Sequence, residues 1–411
     1  MEAAVTLERM VHGGRALTRL EDGRVALVAG GIPGERVTAE LQNVKGVQMG
    51  RVVTVLAASP DRVAPPRHPG LDYGFIRYAR QLELKREVVE DALRRVGLAA
   101  AVPAVRAAPA EWGYRSAVQP ALTGRGLGYR REGSHAVDVL DDDPVANGAV
   151  RAAWRIVVER SGALRGVREV AFRGNDDGET LLALVTSLPE RALLGVANEL
   201  VQAGIMGVAH APFDPRGRFR RGSSRLAGAR SIRQRYGDVD LSVTATSFAQ
   251  PNPAAASALY RELVAWLDPG GHAWDLFAGG GAIAFHLASR YRAVTAVELD
   301  RASVARAERD AERLGLDQRV RFLRADARRA PLPSDADVLA ADPPRAGLPA
   351  ALREQILASG APRLLYVACD PATWARDVAA FEAGGLRLER VQPFDFYPHT
   401  HHVELLSLLA R

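Results

Sequence analysis

The first stretch of the chain, to about residue 58, alternates apolar and polar side chains in short runs. The runs are Val5 to Leu7, Ala16 to Leu20, Val25 to Val28, Val37 to Leu41 and Gly50 to Leu56. Gly13-Gly14, Asp22-Gly23, Gly30 to Gly34 and Val44-Lys45-Gly46 punctuate them. Period-two alternation broken this often predicts five short strands in a small barrel, an architecture that commonly holds nucleic acid. A proline-rich linker follows, from Ala58 to Pro66. Residues 79–98 change period: Leu82, Val88, Val89, Ala92 and Leu93 fall near one helical face, and Gly97 is a plausible stop. From 103 to about 240 the pattern is mixed. Strands are expected at Glu169–Phe172 and Leu181–Val185, and a helix from Pro189 to Ala203.

From Gly271 onward strand and helix patterns alternate. The apolar runs are Ala273–Leu276, Ala293–Glu298, Val320–Leu323, Val338–Ala341, Arg363–Ala368 and His402–Leu409. That rhythm predicts a doubly wound parallel sheet with ligands at the strand C-terminal ends. The expected fold class is therefore multidomain α/β. A β-barrel spans 1–58, an α+β region spans 59–240, with helix 79–98 free to pack on the last domain, and a Rossmann-like domain spans 241–411.

Composition adds a partner. The net charge is +6, and Lys45 and Lys85 are the only lysines among 54 cationic residues. Arginine suits bidentate phosphate contacts and stacking on bases, although part of the excess can be codon composition. Arginine and aromatic residues cluster at Trp112 to Arg115 and at Gly128 to His135, which makes Tyr114, Arg115 and Arg130 candidate RNA contacts. The competing reading is turn chemistry around glycine. A third basic run, Arg216 to Gly222, reads as a flexible loop. No run of about 18 apolar residues is present, so no membrane span is expected. The N-terminus has no export-signal pattern, so the expected location is the cytoplasm, as a monomer.

The candidate chemistry lies in the last domain. Asp275 to Ala282 is a glycine loop between strand and helix, with Gly279 and Gly281 permitting close backbone approach. It is neither a dinucleotide fingerprint nor a phosphate loop. Glu298 ends the next strand, placed to accept from ribose hydroxyls, and Asp326 follows the third, placed to accept from an adenine amine. A glycine loop and two acids at successive strand ends form the pattern of an S-adenosyl-L-methionine site.

Three further motifs follow: Asp342-Pro343-Pro344-Arg345, then Cys369, then His399 to Glu404. Cys369 is the only cysteine, so it is either a packed core thiol or a nucleophile. C5 of a pyrimidine is a poor nucleophile until a thiolate adds to C6. Cys369 could supply that thiolate, and Glu404 could remove the C5 proton after methyl transfer. The histidines suggest a metal site less well, because His401 and His402, adjacent on a strand, would face opposite ways.

These motifs resemble those of the RNA uracil-C5 methyltransferases, the family of the tRNA T-loop and 23S ribosomal enzymes. Its Phe-x-Gln-x-Asn is found at Phe248 to Asn252, its Asp-Pro-Pro-Arg at Asp342 to Arg345, its cysteine signature at Ala368 to Asp377, and its His-Thr-x-His-Val-Glu at His399 to Glu404. The resemblance implies Cys369 as nucleophile and Glu404 as base. It implies cofactor contacts from Gln250, Phe277, Gly279, Gly281, Ala282, Glu298, Asp326 and Asp342, with Phe248 and Arg345 near a flipped uridine. Gly30 to Val37 resembles a TRAM domain, which tilts the expected substrate toward 23S rRNA over tRNA. A non-catalytic RNA-binding or RNA-folding protein that kept the fold is the alternative from another class. The chain departs from the pattern in three places. The stretch Arg67 to Gly74 has no cysteine where many ribosomal members bind an iron–sulfur cluster, so no cluster is expected. Asp370 replaces the usual asparagine beside the nucleophile, and Ala282 stands where asparagine is common.

Overall fold

Alternation in the first sixty residues becomes six strands: Glu2–Thr6, Arg9–Val11, Arg15–Arg19, Val25–Ala29, Arg36–Val44 and Val47–Ala57. Their order across the sheet is first, fifth, sixth, fourth, third, second. Val5, Met10, Ala16, Ala26, Val28, Val37, Ala39 and Leu41 share one buried cluster, so most strands turn a face to a common interior, as in a barrel. The sequence reading expected five strands. Arg9–Val11, three residues long, was missed because so short a run carries almost no periodicity.

This computed structural model describes residues 2–131 and 133–411. Met1, in the expected barrel, and Glu132, in the basic stretch 128–135, lie outside the described residues. The chain divides into two units, Met1–Pro66 with Gly70–Ala108 and Pro331–Arg411, and Arg67–Pro69 with Pro109–Ala330.

In the first unit, helix Tyr78–Arg95 buries Leu84, Val88, Val89 and Leu93. It also buries Gln81 and Lys85, which apolar periodicity cannot signal. Leu82 is only partly buried, so the inward face is rotated from the expected one. The same unit holds four strands in the order Val338–Ala341, Arg363–Ala368, Glu404–Ala410, Arg387–Phe394. The first two are parallel. Glu404–Ala410 runs antiparallel to both of its neighbours, so the sheet is not parallel throughout. Arg387–Phe394 escaped the sequence reading because Arg387, Glu389, Arg390 and Gln392 give it the polar character of an edge. Its neighbour Glu404–Ala410 is buried at every position, as expected of an inner strand.

The second unit is built on a sheet in which Val167–Gly174 and Thr180–Thr186 are central. Helix Gly148–Glu159 lays Trp154 against Phe172, with ring centroids 5.9 Å apart. The helix expected over 189–203 is a 3-10 turn, Glu190–Ala192, followed by helix Leu194–Gln202. Beyond a hairpin of Ile232–Tyr236 and Val239–Val243, three parallel strands lie in the order Val320–Arg324, Tyr291–Glu298, Gly270–Leu276. Helices Ala282–Leu287 and Arg301–Leu314 connect them. Among the described residues no helix is long and apolar enough to cross a membrane.

Candidate active site

Two strand ends and one strand start converge on one edge of the four-stranded sheet. Ala368 pairs with Leu405 in antiparallel register. That pair ends the register, so Cys369 leaves one strand where Glu404 opens its antiparallel neighbour, and the Glu404 carboxyl acts on the Cys369 thiol. Ala341 pairs with Tyr366 in parallel, which brings Asp342 to the same edge. The parallel strands end where the antiparallel strand begins, so residues 27, 35 and 62 positions apart in sequence share one neighbourhood.

The electrostatics of this edge are coupled. Burial pushes the Cys369 thiol up to about 12, the Glu404 and Asp342 carboxyls add to that rise, and the Arg345 guanidinium opposes it. Glu404 is 4 % exposed. Burial lifts its carboxyl well above the usual carboxylate range, Asp342 adds to the rise, and Arg345 again opposes it. The site therefore contains a thiol that is hard to ionise and an acid that holds protons tightly, with one guanidinium favouring both anions.

The helix after Cys369, Pro371–Ala383, explains the rest of its signature. Thr373 Oγ1 donates to the Arg345 carbonyl at 3.1 Å, and Arg376 Nη2 donates to the Ala346 carbonyl at 3.0 Å. Asp377 accepts from the Leu348 amide at 2.8 Å, from Tyr366 Oη at 2.8 Å and from Arg353 Nη1 at 2.6 Å. Residues three and four apart on one helical face thus fasten the loop that carries Arg345. Gly347 has φ +72, and a Cβ there would stand 2.5 Å from Asp377 Oδ2, so only glycine fits.

Asp370 caps this helix. Its Oδ1 accepts from the Ala372 amide at 3.1 Å and the Thr373 amide at 3.0 Å. Its Oδ2 lies 3.1 Å from His12 Nε2. Burial works against ionisation, but His12 and the Thr373 amide hold the carboxyl well below the usual range. Asp370 is the last of the groups acting on Cys369, after Glu404, Asp342 and Arg345.

The segment leading to Glu404 is moulded on helix Tyr78–Arg95. Lys85 Nζ donates to Asp395 Oδ1 at 2.7 Å and to the Tyr397 carbonyl at 3.2 Å, with both charged side chains fully buried. Gln81 Oε1 accepts from the His399 amide at 2.8 Å, and its Nε2 stands 3.1 Å from His399 Nδ1. His399 has φ +66, a costly conformation for a residue with a side chain, and these bonds hold it there. Asp72 Oδ2 meets His401 Nδ1 at 2.5 Å. His401 and His402 precede the strand, and their rings lie 4.1 Å apart. The expectation that they sit on a strand and face opposite ways is corrected: the loop geometry sets them side by side. Among the described residues no three His, Cys, Asp or Glu side chains converge as they would on a metal ion.

In the other unit the glycine loop turns sharply and is held by Glu298. Phe277, Gly279 and Gly281 all have positive φ, at 65, 54 and 85. Glu298 Oε2 accepts from the Gly279 amide at 2.8 Å and its Oε1 from the Asp300 amide at 2.7 Å. A Cβ on Gly279 or Gly280 would meet nothing within 4 Å, so the loop is open at these two positions. Ala282 opens the following helix and offers no polar side-chain atom. Asp326 is bound by Arg328, whose side chain holds its carboxyl down to about 2. Gln250 accepts Tyr236 Oη on its carbonyl at 2.8 Å, leaving its side-chain amide out of that bond.

The remaining candidates differ in exposure. Phe248 is 75 % exposed, a large apolar side chain in solvent with a surface free to stack. Arg130 is exposed and pairs with Glu169 at 2.6 Å. Tyr114 is 6 % exposed, so its ring packs inside the unit rather than offering a face to a base. Arg115 is fixed by its backbone, which bonds to Val145 and Asn147. Sequence reasoning missed His12, Gln81, Lys85 and Asp377 as supports of the site. The polar side chains at 81 and 85 on an otherwise apolar helical face were the available signal.

Comparison with known proteins agrees in kind. The family described as tRNA (Uracil-5-)-methyltransferase matches residues 334–411, and a general methyltransferase domain matches residues 273–356. A protein of Thermosynechococcus vestitus described as an uncharacterized RNA methyltransferase is 34 % identical, over 98 % of this chain and 97 % of its own. The 23S rRNA (uracil(1939)-C(5))-methyltransferase RlmD of Halomonas elongata is 31 % identical, over 98 % of this chain and 89 % of its own. The crystal structure of the Pyrococcus abyssi tRNA (uracil-54, C5)-methyltransferase, in complex with S-adenosyl-L-homocysteine, superposes with a TM-score of 0.82 at 24 % identity over the full length of both chains. That likeness establishes the fold, a Rossmann-like methyltransferase with a strand-rich N-terminal region.

Proposed function

The chain belongs to the RNA uracil-5-methyltransferase family, and from that premise we propose that it methylates C5 of a uridine in 23S rRNA through a covalent Cys369 adduct. The observation that carries this reading is that Cys369 leaves one strand where Glu404 opens its antiparallel neighbour, with Glu404, Asp342 and Arg345 all acting on the thiol. The cofactor is S-adenosyl-L-methionine, which supplies an electrophilic methyl group when bound. The open cradle over Gly279 and Gly280, with the Glu298 carboxylate at the neighbouring strand end, suits its adenosyl and ribose groups. Gln250, Phe277, Gly281, Ala282 and Asp326 complete the proposed contacts of this unit.

The chemistry of the chain's own residues follows. The Cys369 thiolate adds to C6, and the C5–C6 π electrons move onto C5 and its conjugated carbonyl. C5 then takes the methyl group. Glu404 removes the C5 proton, the double bond re-forms, and the sulfur–C6 bond breaks to release the thiolate. A carboxyl whose burial raises its basicity suits proton removal from carbon. Arg345 opposes the thiol's high pKa and stands where it can steady charge on the base. Phe248 offers a stacking surface for flipped or flanking bases.

The ribosomal substrate is supported by the relative that acts on 23S rRNA and by the N-terminal barrel; tRNA is the second arm of the test. The protein is incubated with tritiated S-adenosyl-L-methionine and either unmodified 23S rRNA or tRNA. C5-methyluridine in the 23S fraction, lost in Cys369→Ala, is the expected result. Label in tRNA alone moves the substrate. Label in neither, with wild type matching Cys369→Ala, overturns the reading and leaves an RNA-binding protein with this fold.

A further inference from the structure

We propose that His12, in the turn after the barrel strand Arg9–Val11, is a positioning residue for Cys369 that acts through Asp370. The inference rests on Cys369 being the nucleophile. The two oxygens of the Asp370 carboxylate have separate partners. Capping the helix Pro371–Ala383 occupies Asp370 Oδ1, which takes both the Ala372 and Thr373 amides. An asparagine oxygen would cap equally well, so the cap does not require a charge. The second oxygen, Oδ2, faces His12 Nε2 at 3.1 Å. An ionised carboxylate only accepts, so Nε2 must carry the hydrogen.

The charged groups around the nucleophile show what this contact does. Glu404, Asp342 and Asp370 bear on Cys369 from the acidic side, and Arg345 bears on it from the basic side. Asp370 in turn is faced by His12 and Arg345. Without His12 the Oδ2 charge loses its donor, and the acidic field at the adjacent thiol grows. The carboxylate also loses its second anchor, and Asp370 is the residue next to the nucleophile. His12 is half-exposed while Asp370 is mostly covered, so the contact is screened on one side only. Because His12 belongs to the N-terminal barrel, the seating of the barrel in this unit and the setting of the nucleophile are one linked arrangement.

The test uses the full chain with S-adenosyl-L-methionine and RNA carrying 5-fluorouridine, which has no C5 proton to remove, so the thioether adduct accumulates on denaturing gels. Wild type must form the adduct; if it does not, the nucleophile reading fails before this one is reached. His12→Ala is expected to slow adduct formation about three- to tenfold at neutral pH and to move the rate–pH profile to higher pH. His12→Gln, whose amide can still donate to Oδ2, is expected to recover most of the rate, and it carries the test if alanine loosens the barrel. In an Asp370→Asn background, adding His12→Ala is expected to change the rate by less than about twofold. A His12→Ala rate and pH profile equal to wild type would overturn the proposal. So would a His12→Ala loss that persists undiminished beside Asp370→Asn, or one that His12→Gln fails to relieve.

Discussion

Arg345 Nη2 lies 3.2 Å from His402 Nδ1, and because a guanidinium only donates, that ring nitrogen is the acceptor. His402 must therefore be neutral with its hydrogen on Nε2. Its surroundings enforce that state: burial pushes its pKa down to about 3, with His401 and Arg345 adding to the fall. A neutral imidazole thus steers a cation that favours the Cys369 thiolate.

Removing that cation should be costly. Arg345→Ala is expected to slow 5-fluorouridine adduct formation by about 10²-fold or more, the scale of losing a charged donor at a reacting centre. His402→Ala leaves Arg345 in place but unsteered, and about a tenfold loss is expected. Rates from quenched gels decide it; equal rates for Arg345→Ala and wild type would remove Arg345 from the mechanism.

The nucleophile should be pH-limited. With burial holding the thiol near about 12, the thiolate fraction grows tenfold with each unit of pH across the neutral range. Adduct formation is expected to climb with a slope close to one between about pH 7 and 9. A flat profile would mean that the thiol is already ionised.

Glu404 couples stability to pH. Its folded-state pKa is raised above the ordinary 4.5, so the folded chain binds more protons than the unfolded one between those values. Stability is then full below the unfolded pKa and is lost as pH rises. Glu404→Gln removes the titrating group and is expected to flatten that decline in urea midpoints from pH 5 to 8. The same variant should lose about 10²–10⁴-fold in turnover while still forming the C6 adduct on ordinary uridine. Loss of the adduct together with turnover would assign Glu404 an earlier step.

The Lys85–Asp395 pair, both side chains fully buried, holds the segment before Glu404. Lys85→Met leaves Asp395 buried without its partner and is expected to cost about 3–5 kcal/mol. Lys85→Met with Asp395→Leu should return most of that loss in urea unfolding, because no lone charge remains.

Glu298 braces the glycine loop through the Gly279 amide. Glu298→Ala is expected to weaken binding of S-adenosyl-L-homocysteine about tenfold or more by calorimetry, since a charged acceptor and the loop's anchor go together. Unchanged affinity would move the cofactor elsewhere.

Much of the candidate site was legible because it is written in local chemistry. Glycines at 279 and 281, acids at 298 and 326, and a lone thiol at 369 are residue types whose use is narrow. Strands Val338–Ala341 and Arg363–Ala368 matched their apolar runs to the residue, since a buried parallel strand is apolar on both faces. Arg387–Phe394 was missed for the opposite reason, its polar face at a sheet edge. Tyr114 illustrates another limit: an aromatic beside arginine reads as a stacking surface, and burial of the ring decides against it.

The sequence by itself determined the kind of chemistry, an RNA uracil-C5 methyltransferase pattern with one thiol and one terminal carboxyl, because side-chain identity sets what a group can donate, accept or attack. Tertiary structure alone decided the company those groups keep. Antiparallel pairing of Ala368 with Leu405 brings Cys369 and Glu404 to one place, and a barrel turn more than 350 residues away brings His12 to Asp370. Helix Tyr78–Arg95 turns Gln81 and Lys85 inward toward the loop before Glu404. Contacts of this sort depend on backbone paths and burial that a linear pattern does not encode, and it is burial and neighbouring charge that set the proton affinities on which the reaction depends.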